Sequence, residues 1–410
     1  MLGKYPLVIN KEFDHIVIGA GIVGISLGLA ILERNPNKKV LIIDKEPEPG
    51  IHASGRNSGV LHAGFYYSPD SLKAKFCRLG NIELRKFCKA NHLQILETGK
   101  VVVCRNKQDV TQLEELYRKG VANGVNIEIL DSKDLEKIEP AAQTVDKFIW
   151  SPTTAVGNPK EIINKLGEKF TKSGGDFSFN TQIELIEKNN EILVKAKNIT
   201  YSAKTIINSA GAHAAALAKQ VNVGTEYVCL PFLGTYIKSR LLLANPRRLI
   251  YPVPNPINPF LGVHTTSSLQ NYIKIGPTAF PVIGKEQYKL TDGFNFKELV
   301  EFFVSSTALL KSDSVDLIGL AKEEALKLFK KPLLRQARKL SSSLDSNYDW
   351  VKHPSGIRAQ IVNSKTRSIE MDYIVKIEKN AIHILNAVSP GWTSAIPFTR
   401  WVIEQNEAMF

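Results

Sequence analysis

A chain of 410 residues with 43% hydrophobic and 23% charged residues is long enough for two or three domains and is neither fibrous nor disordered in composition. Its formal net charge of +13 favours anionic partners, but the lysines are scattered, with no basic tract carrying interleaved aromatics, so nucleic acid is not expected. No run approaches the ~18 apolar residues of a membrane span. The four cysteines, Cys77, Cys88, Cys104 and Cys229, form no CxxC pair and no metal-ligand cluster with histidine, so reduced thiols in a cytoplasmic protein are expected.

The N-terminal stretch MLGKYPLVINKEF lacks the apolar core of a secretory signal. The first clear element is a short buried strand, Ile16, Val17 and Ile18, followed by Gly19, Gly21 and Gly24 in G-x-G-x-x-G spacing. An apolar helical segment comes next, then a second strand, KVLIIDK, with Asp44 twenty positions after Gly24. Each part has a physical purpose. Gly19 permits the tight turn, Gly21 lets the backbone approach a pyrophosphate, and Gly24 allows the helix to pack closely on the strand. The helix N-terminus offers N–H groups and a positive dipole to phosphate. Asp44 is placed to accept hydrogen bonds from a ribose hydroxyl, with Lys45 beside it. Strand, helix, second strand and acid in register predict dinucleotide binding.

The stretch HASGRNSGVL, His52 to Leu61, follows neither a helical nor a strand pattern. Its small residues, Asn57, Ser58 and Gly59 among them, let backbone N–H groups come close to a flat ring. Such a loop directly after an N-terminal nucleotide unit favours FAD over NAD. Downstream, AKTIINSAGAHAAALAK reads as a hydrophobic strand ending at Ala210 and Gly211, then an alanine-rich helix. That corner lets another backbone pass near a cofactor, although ordinary βα corners look the same. Further on, ALKLFKKPLLRQARKL sets Leu326, Phe329, Leu333, Ala337 and Leu340 at helical spacing with lysines and arginines opposite. Pro332 is expected to break this segment into two short helices. A solvated helix face is the expectation, with a membrane-docking surface as the alternative.

The sequence resembles the D-amino-acid-oxidase-like FAD oxidoreductases, and within them the L-2-hydroxyglutarate dehydrogenase/oxidase family. The motifs that carry the resemblance are GAGIVG, GRNSGVLHAGFYYSPDSLKAKFC, IYPVPNPINPFLGVHTT, HPSGIRAQ and NAVSPGWTSAIPF, spread over nearly the whole chain. The first is shared by many flavoproteins; the second and third are far more specific. The resemblance implies an interleaved two-domain fold of the α+β / α/β class: a Rossmann-like FAD domain and a substrate domain on an antiparallel sheet. Segments 13–85, 146–220 and 350–410 would form the FAD domain, and 86–145 and 221–349 most of the substrate domain. GIRAQ and SPGWTSA would then return to the FAD domain. The loop from His52 to Leu61 would lie along the flavin, with Ile183, Gly356, Gly391, Trp392 and Thr393 as further cofactor residues. His62 to Lys75 would lead toward the substrate pocket.

Oxidising a 2-hydroxy acid requires the Cα–H to face flavin N5, a base for the hydroxyl proton, and cations for the carboxylate. His62 and His264 are the candidate bases, since an unperturbed imidazole suits proton removal near neutrality. The sequence does not choose between them. Arg358 in SGIRAQ resembles the arginine of related amine and amino-acid oxidases and would make a planar two-point contact with a carboxylate. Tyr251 would donate a hydrogen bond to a carboxylate or carbonyl oxygen, and no metal is expected. The tyrosine pair Tyr66 and Tyr67 reads first as core packing.

Four departures from the family bear on the substrate. Leu233 stands where the family typically carries arginine, and Arg56 replaces a usual histidine. Gly284 and Lys285 stand in place of a lysine–arginine pair, and Gly391 with Trp392 where small alanines are usual. A lost arginine predicts a pocket short of one cation. The implied activity is oxidation of an L-2-hydroxy acid, 2-hydroxyglutarate-like, to the 2-keto acid with noncovalent FAD and a quinone or oxygen as electron acceptor. His52 and the cysteines are the conceivable covalent anchors. Oxidation of an amino acid, amine or sugar acid is the alternative, and so are a flavin-binding protein without turnover and an NAD-dependent dehydrogenase. A cytoplasmic protein, with the inner face of a membrane as a peripheral contact, completes the expectation.

Overall fold

The computed structural model describes residues 9–240, 246–255, 260–312, 316–344 and 349–410. Residues 256–259 of the motif IYPVPNPINPFLGVHTT lie outside them.

One eight-stranded sheet begins with the strand Ile9–Ile18, which pairs in parallel with Val40–Ile43 on one side and Ile199–Asn208 on the other. Asp176–Ser178 extends it beyond Val40–Ile43, and Ala381–Asn386 beyond Ile199–Asn208, both in parallel. Near-continuous runs of Ile, Val and Leu suit these strands, because helices or a second layer cover both faces. On one face the helices Ile22–Arg34, Pro159–Lys172 and Gly391–Gln405 pack over Val17, Val40, Ile42 and Ile207. On the other, Ile16, Ile18, Leu41 and Ile206 cluster with the short helix Ala214–Lys219 and with the antiparallel strands Glu184–Lys188 and Glu191–Ala196, which continue the same sheet from Ile199–Asn208.

A ten-stranded sheet is antiparallel except where Leu249–Pro252 pairs in parallel with Lys100–Val103. Its longest ladder joins Tyr227–Ser239 to Trp350–Asn363. Ile273–Gly276, His264–Ser267, Leu249–Pro252, Lys100–Val103 and Lys147–Ser151 then follow side by side. The helices Phe296–Leu310 and Leu317–Lys327 cover Leu230, Phe232 and Val362, and Lys330–Arg338 covers Ile237, Ile273 and Ile275. Among the described residues no helix is long and apolar enough to cross a membrane.

Two expected segment edges change. Lys147–Ser151 pairs with Lys100–Val103, and the whole strand carrying GIRAQ pairs with Tyr227–Ser239. Both therefore belong to the ten-stranded sheet, where the sequence expectation put them in the FAD domain. Strand partners far apart in the chain decide membership, and composition carries no record of them. The break in ALKLFKKPLLRQARKL falls at Leu328 and Phe329, not at the proline. Pro332 sits in the first turn of the second helix, where its missing N–H has no intrahelical partner to lose. Leu333, Ala337 and Leu340 are buried, but the break turns Leu326 and Phe329 out to solvent, 62% and 68% exposed.

Candidate functional site

The glycine loop is built so tightly that side chains are excluded from it. Gly19 has φ +103°, and a Cβ there would meet the Ser209 carbonyl oxygen at 2.7 Å. A Cβ on Gly24 would lie 1.9 Å from the Gly19 carbonyl oxygen, inside contact distance. The helix Ile22–Arg34 therefore sits directly against the strand end. A Cβ on Gly21 would touch Ser54 Oγ at 3.0 Å, and the same hydroxyl accepts the Ile22 N–H. Asp44 accepts the N–H of Ala20 at 2.6 Å and that of Glu46 at 2.9 Å, bracing the turn. A carboxylate has about four lone-pair sites, so two remain for a ribose hydroxyl. Gly211, at φ +55°, faces open space where a Cβ would meet nothing within 4 Å. Ala210 and Ile183 line the neighbouring hydrophobic cluster.

The loop from His52 to Leu61 is held by its own polar groups. Asn57 Nδ2 donates to the Ser54 carbonyl at 2.7 Å while its Oδ1 accepts the Gly59 N–H at 2.8 Å. Lys274 Nζ reaches across from the ten-stranded sheet to the Ser58 carbonyl at 2.7 Å. A Cβ on Gly356 would strike the Arg56 carbonyl oxygen at 2.4 Å, so sheet and loop nearly touch there. A cavity of about 290 Å³ opens between Arg56, Asn57, Gly157, Tyr236, Lys274 and His353. Gly391 opens the last helix with no side-chain cap. Thr393 Oγ1 donates to the Val60 carbonyl and accepts the His62 N–H, tying that helix end to the loop. The Trp392 indole N–H is buried without a partner among the described residues. A cradle closed to side chains, open space at Gly211, an uncapped helix start and an orphaned indole donor together fit a dinucleotide with a flat aromatic end.

Beyond the loop lies a chamber rich in buried cations. Tyr251 and His264 occupy facing positions on adjacent strands, and their rings stack with centroids 3.7 Å apart. His264 Nδ1 lies 2.9 Å from the Gly262 carbonyl, which places the proton on Nδ1 and leaves Nε2 bare. Burial pushes this imidazole down to about 3, with Lys100 and Lys274 adding to the effect. Burial first, then Lys100, His264 and Arg358, holds His62 well below the usual histidine range. The His62 backbone is pinned by Thr393, Cys77 and Asn81.

Lys100 is fully buried, and its Nζ has no hydrogen-bond partner among the described residues. It lies 4.4 Å from the ring centroids of Phe65 and Tyr66 and 4.8 Å from that of Tyr251. Burial lowers its ammonium to about 7. Burial also lowers Lys73 to about 7 and Lys274 to about 8. The Arg358 charge acts on His62, Tyr67, Tyr236 and Lys73; its guanidinium lies 5.0 Å from the Phe260 ring centroid and its Nε donates to Gln360 Oε1 at 3.3 Å. Among the described residues, Asp372 is the carboxylate that acts on this group, through Lys73, and its oxygens already accept the N–H of Leu72 and Lys73.

The sequence reading missed Lys100, Lys73, Lys274 and Tyr236. A signal was present for two of them: a lysine heading the wholly buried strand KVVV, and one between isoleucines in IKIG. The departures are also placed. Leu233 pairs with Ile357 and packs with Val282, Phe280 and Tyr288, whereas Arg358 stands opposite Phe232. Adjacent strand positions face opposite sides, so Leu233 points away from Arg358 and its place is taken up by an apolar cluster that carries no cation. Lys285 pairs with Glu301 at 2.6 Å. Arg56 stacks on the Tyr288 ring at 4.1 Å.

A second charged cluster ties the nucleotide strand to the segment 284–288. Lys45 pairs with Glu46 and, at 2.7 Å, with Glu286. Glu286 also accepts from His213 at 2.8 Å, and His52 bonds Glu46 at 2.9 Å and the Tyr288 hydroxyl. Glu46, His52 and Glu286 bring ligand atoms within 4.8 Å of one another, but the Lys45 ammonium bridges the two carboxylates. His52 is thus engaged on both ring nitrogens. All four cysteines are buried, their thiols pushed up to about 12 by burial.

The sequence pattern of the FAD dependent oxidoreductase family (DAO) matches residues 14–405. The chain is 30% identical over 404 residues to an L-2-hydroxyglutarate dehydrogenase from Salmonella houtenae, covering 97% of this chain and 94% of that protein. It is 34% identical over 401 residues to an L-2-hydroxyglutarate dehydrogenase from Indibacter alkaliphilus, covering 96% and 98%. An FAD-bound L-alpha-glycerophosphate oxidase from Mycoplasma pneumoniae superimposes with a TM-score of 0.73, over 97% of this chain and 95% of that one, at 19% identity. That last likeness speaks for the fold alone.

Proposed function

The chain belongs to the FAD dependent oxidoreductase family, and from that premise we propose that it oxidises L-2-hydroxyglutarate, or an L-2-hydroxy acid close to it, to the 2-keto acid. One observation carries the substrate class. Lys100, Lys73, Lys274 and Arg358 gather near His62 and His264, and among the described residues a single, already engaged carboxylate, Asp372, acts on them. Lys100 Nζ is buried without a hydrogen-bond partner among the described residues; such a cation is costly, and a dianionic substrate relieves that cost.

Oxidation removes the Cα–H as hydride, the chemistry that bound FAD supplies, and the hydroxyl proton, which this chain takes up. Arg358 holds one carboxylate by a two-point contact. Lys100 meets the other, helped by Lys73 or Lys274. His264 accepts the proton at Nε2, because its Nδ1 is committed to Gly262. A free imidazole pushed this low is a weak base, but a dianion beside it offsets Lys100 and draws its proton affinity back up. The Tyr251 ring fixes the imidazole plane, and His62 positions the flavin loop through its bonded backbone. The electron acceptor in this reading is a quinone or oxygen.

The test is anaerobic: the protein with its flavin is mixed with L-2-hydroxyglutarate, with its D isomer, with monocarboxylic hydroxy acids and with amino acids. The expected result is bleaching of the flavin absorbance by L-2-hydroxyglutarate at lower concentration than by any monocarboxylate. Bleaching by amino acids or amines alone would overturn the substrate class.

A further inference from the structure

The helix Phe296–Leu310 is apolar on two opposite faces. Ser305, Ala308 and Leu309 are buried against the ten-stranded sheet. Phe296, Val300, Phe303, Val304 and Leu310 point to solvent, with Phe296 78% exposed. Their spacing of i, i+4, i+7, i+8 and i+14 is a helical stripe. A surface helix ordinarily carries one apolar stripe, toward the core, with polar residues opposite, so a second, outward stripe is a candidate contact face. The stripe continues into neighbouring elements: Leu290 and Phe294 precede it, and Ile318, Leu326 and Phe329 follow in the next helix and its end. Ten of the fourteen large hydrophobic side chains exposed among the described residues fall between Leu290 and Phe329, including all four exposed phenylalanines.

Charge identifies the occupant. Between residues 297 and 339 the described chain exposes eight lysines and arginines against two acids, Asp316 and Glu323. Glu323 is already paired with Lys327. Lys330 and Lys331 directly follow the most exposed end, Phe329. A second copy of this chain would set these like charges against each other. A bilayer with anionic headgroups takes the phenylalanines into its interface and the cations at its surface.

We propose that the outer helical layer of the ten-stranded sheet, from Leu290 to Lys339, docks on anionic phospholipid membrane, with Phe296, Phe303 and Phe329 entering the interface and Lys330 and Lys331 meeting the headgroups. The chain lies on the bilayer and does not span it. The substrate chamber belongs to the same sheet that this layer covers, so docking gives the enzyme a fixed orientation on the membrane.

The experiment is vesicle flotation of the full-length protein with its flavin, on phosphatidylcholine alone and on phosphatidylcholine mixed with phosphatidylglycerol. The wild type is expected to float with the mixed vesicles and far less with phosphatidylcholine. Phe296→Ser with Phe303→Ser, and separately Lys330→Glu with Lys331→Glu, are each expected to weaken partition by about tenfold or more. Turnover with a soluble dye should not change, since none of these residues lies in the chamber. A wild type that floats with neither vesicle overturns the proposal, as does flotation that both variants share undiminished. A wild-type dimer in gel filtration that the serine variant dissociates, without flotation, assigns the face to self-association and overturns it too. Flotation reads no catalysis, so its failure is distinct from a failure of the oxidation reading.

Discussion

The rings of Tyr251 and His264 lie nearly parallel, 17° apart, with 3.7 Å between their centroids. The stack and the Gly262 carbonyl together leave the imidazole one orientation and one tautomer. Replacing His264→Gln is expected to lower kcat by ~10²–10⁴-fold, the usual weight of a general base, while the protein stays yellow. His62→Gln should disturb flavin reduction less. The free imidazole gains its proton only near pH 3, so kcat/KM should stay flat from pH 7 down to about 5 as far as this group is concerned. A glutamine variant that keeps the wild-type kcat would refute the assignment of His264 as the base.

Lys100 makes a prediction in two parts. In the fold it holds its proton only below about 7, against ~10.4 in the unfolded chain. Between those values the unfolded chain binds more protons, so stability rises with pH across that window. The penalty of burying the charge is complete below pH 7 and gone above about 10. Lys100→Met should therefore stabilise the substrate-free protein at pH 7 by on the order of 2–4 kcal/mol, with the gain closing toward pH 10. The same variant should raise KM for L-2-hydroxyglutarate ~10–100-fold, as the loss of one charge-assisted contact of ~1.5–3 kcal/mol requires. Urea melts at several pH values and steady-state kinetics check both parts. A variant no more stable than wild type at pH 7, with KM unmoved, would remove Lys100 from the chamber's chemistry.

The nucleotide unit could be read residue by residue because its determinants are local. Gly19, Gly21, Gly24 and Asp44 lie within one strand–helix–strand passage, and the structure brings them together with Ser54 and Gly211. The chamber is different in kind. Lys100, Tyr251, His264 and Lys274 come from four strands whose neighbours are set by sheet order, so spacing along the chain says nothing of their meeting. His264, Tyr251 and Arg358 were named through resemblance, Lys100 by nothing. Leu233 shows the same limit: which face of the sheet its side chain takes is fixed by register with Ile357, and spacing along the chain does not record it. The outward turn of Leu326 and Phe329 depended on where the helix broke, which a periodicity that runs through both helices conceals.

Two glycines separate folding from cofactor binding. Gly24→Ala places a methyl 1.9 Å from a backbone oxygen that cannot move aside. It should unseat the helix from the strand, cost more than ~3 kcal/mol and abolish flavin retention. Gly211→Ala meets no atom within 4 Å, so its penalty is the strain of φ +55°, ~1–2 kcal/mol. The Gly211 variant should remain folded by circular dichroism but carry less flavin, measured as flavin absorbance per protein. Full flavin occupancy in a folded Gly211→Val variant would mean that the open space beside this glycine is not cofactor space.

Glu286 joins the nucleotide strand to the ten-stranded sheet's edge through Lys45 and His213. The His213 bond and Lys45 hold its carboxyl down at about 2 against the opposing effect of burial. A depressed carboxyl contributes stability above its unfolded value, ~4.3, and loses it as the pH falls through the folded one. The side chain is 39% exposed, so solvent screens much of the pairing, and Glu286→Gln should cost only about 1 kcal/mol at pH 6. The difference between wild type and variant should shrink below pH 4 and vanish near pH 2, and it should also shrink in high salt. A difference that persists unchanged at pH 2 would show that packing, and not the ion pairs, makes Glu286 matter.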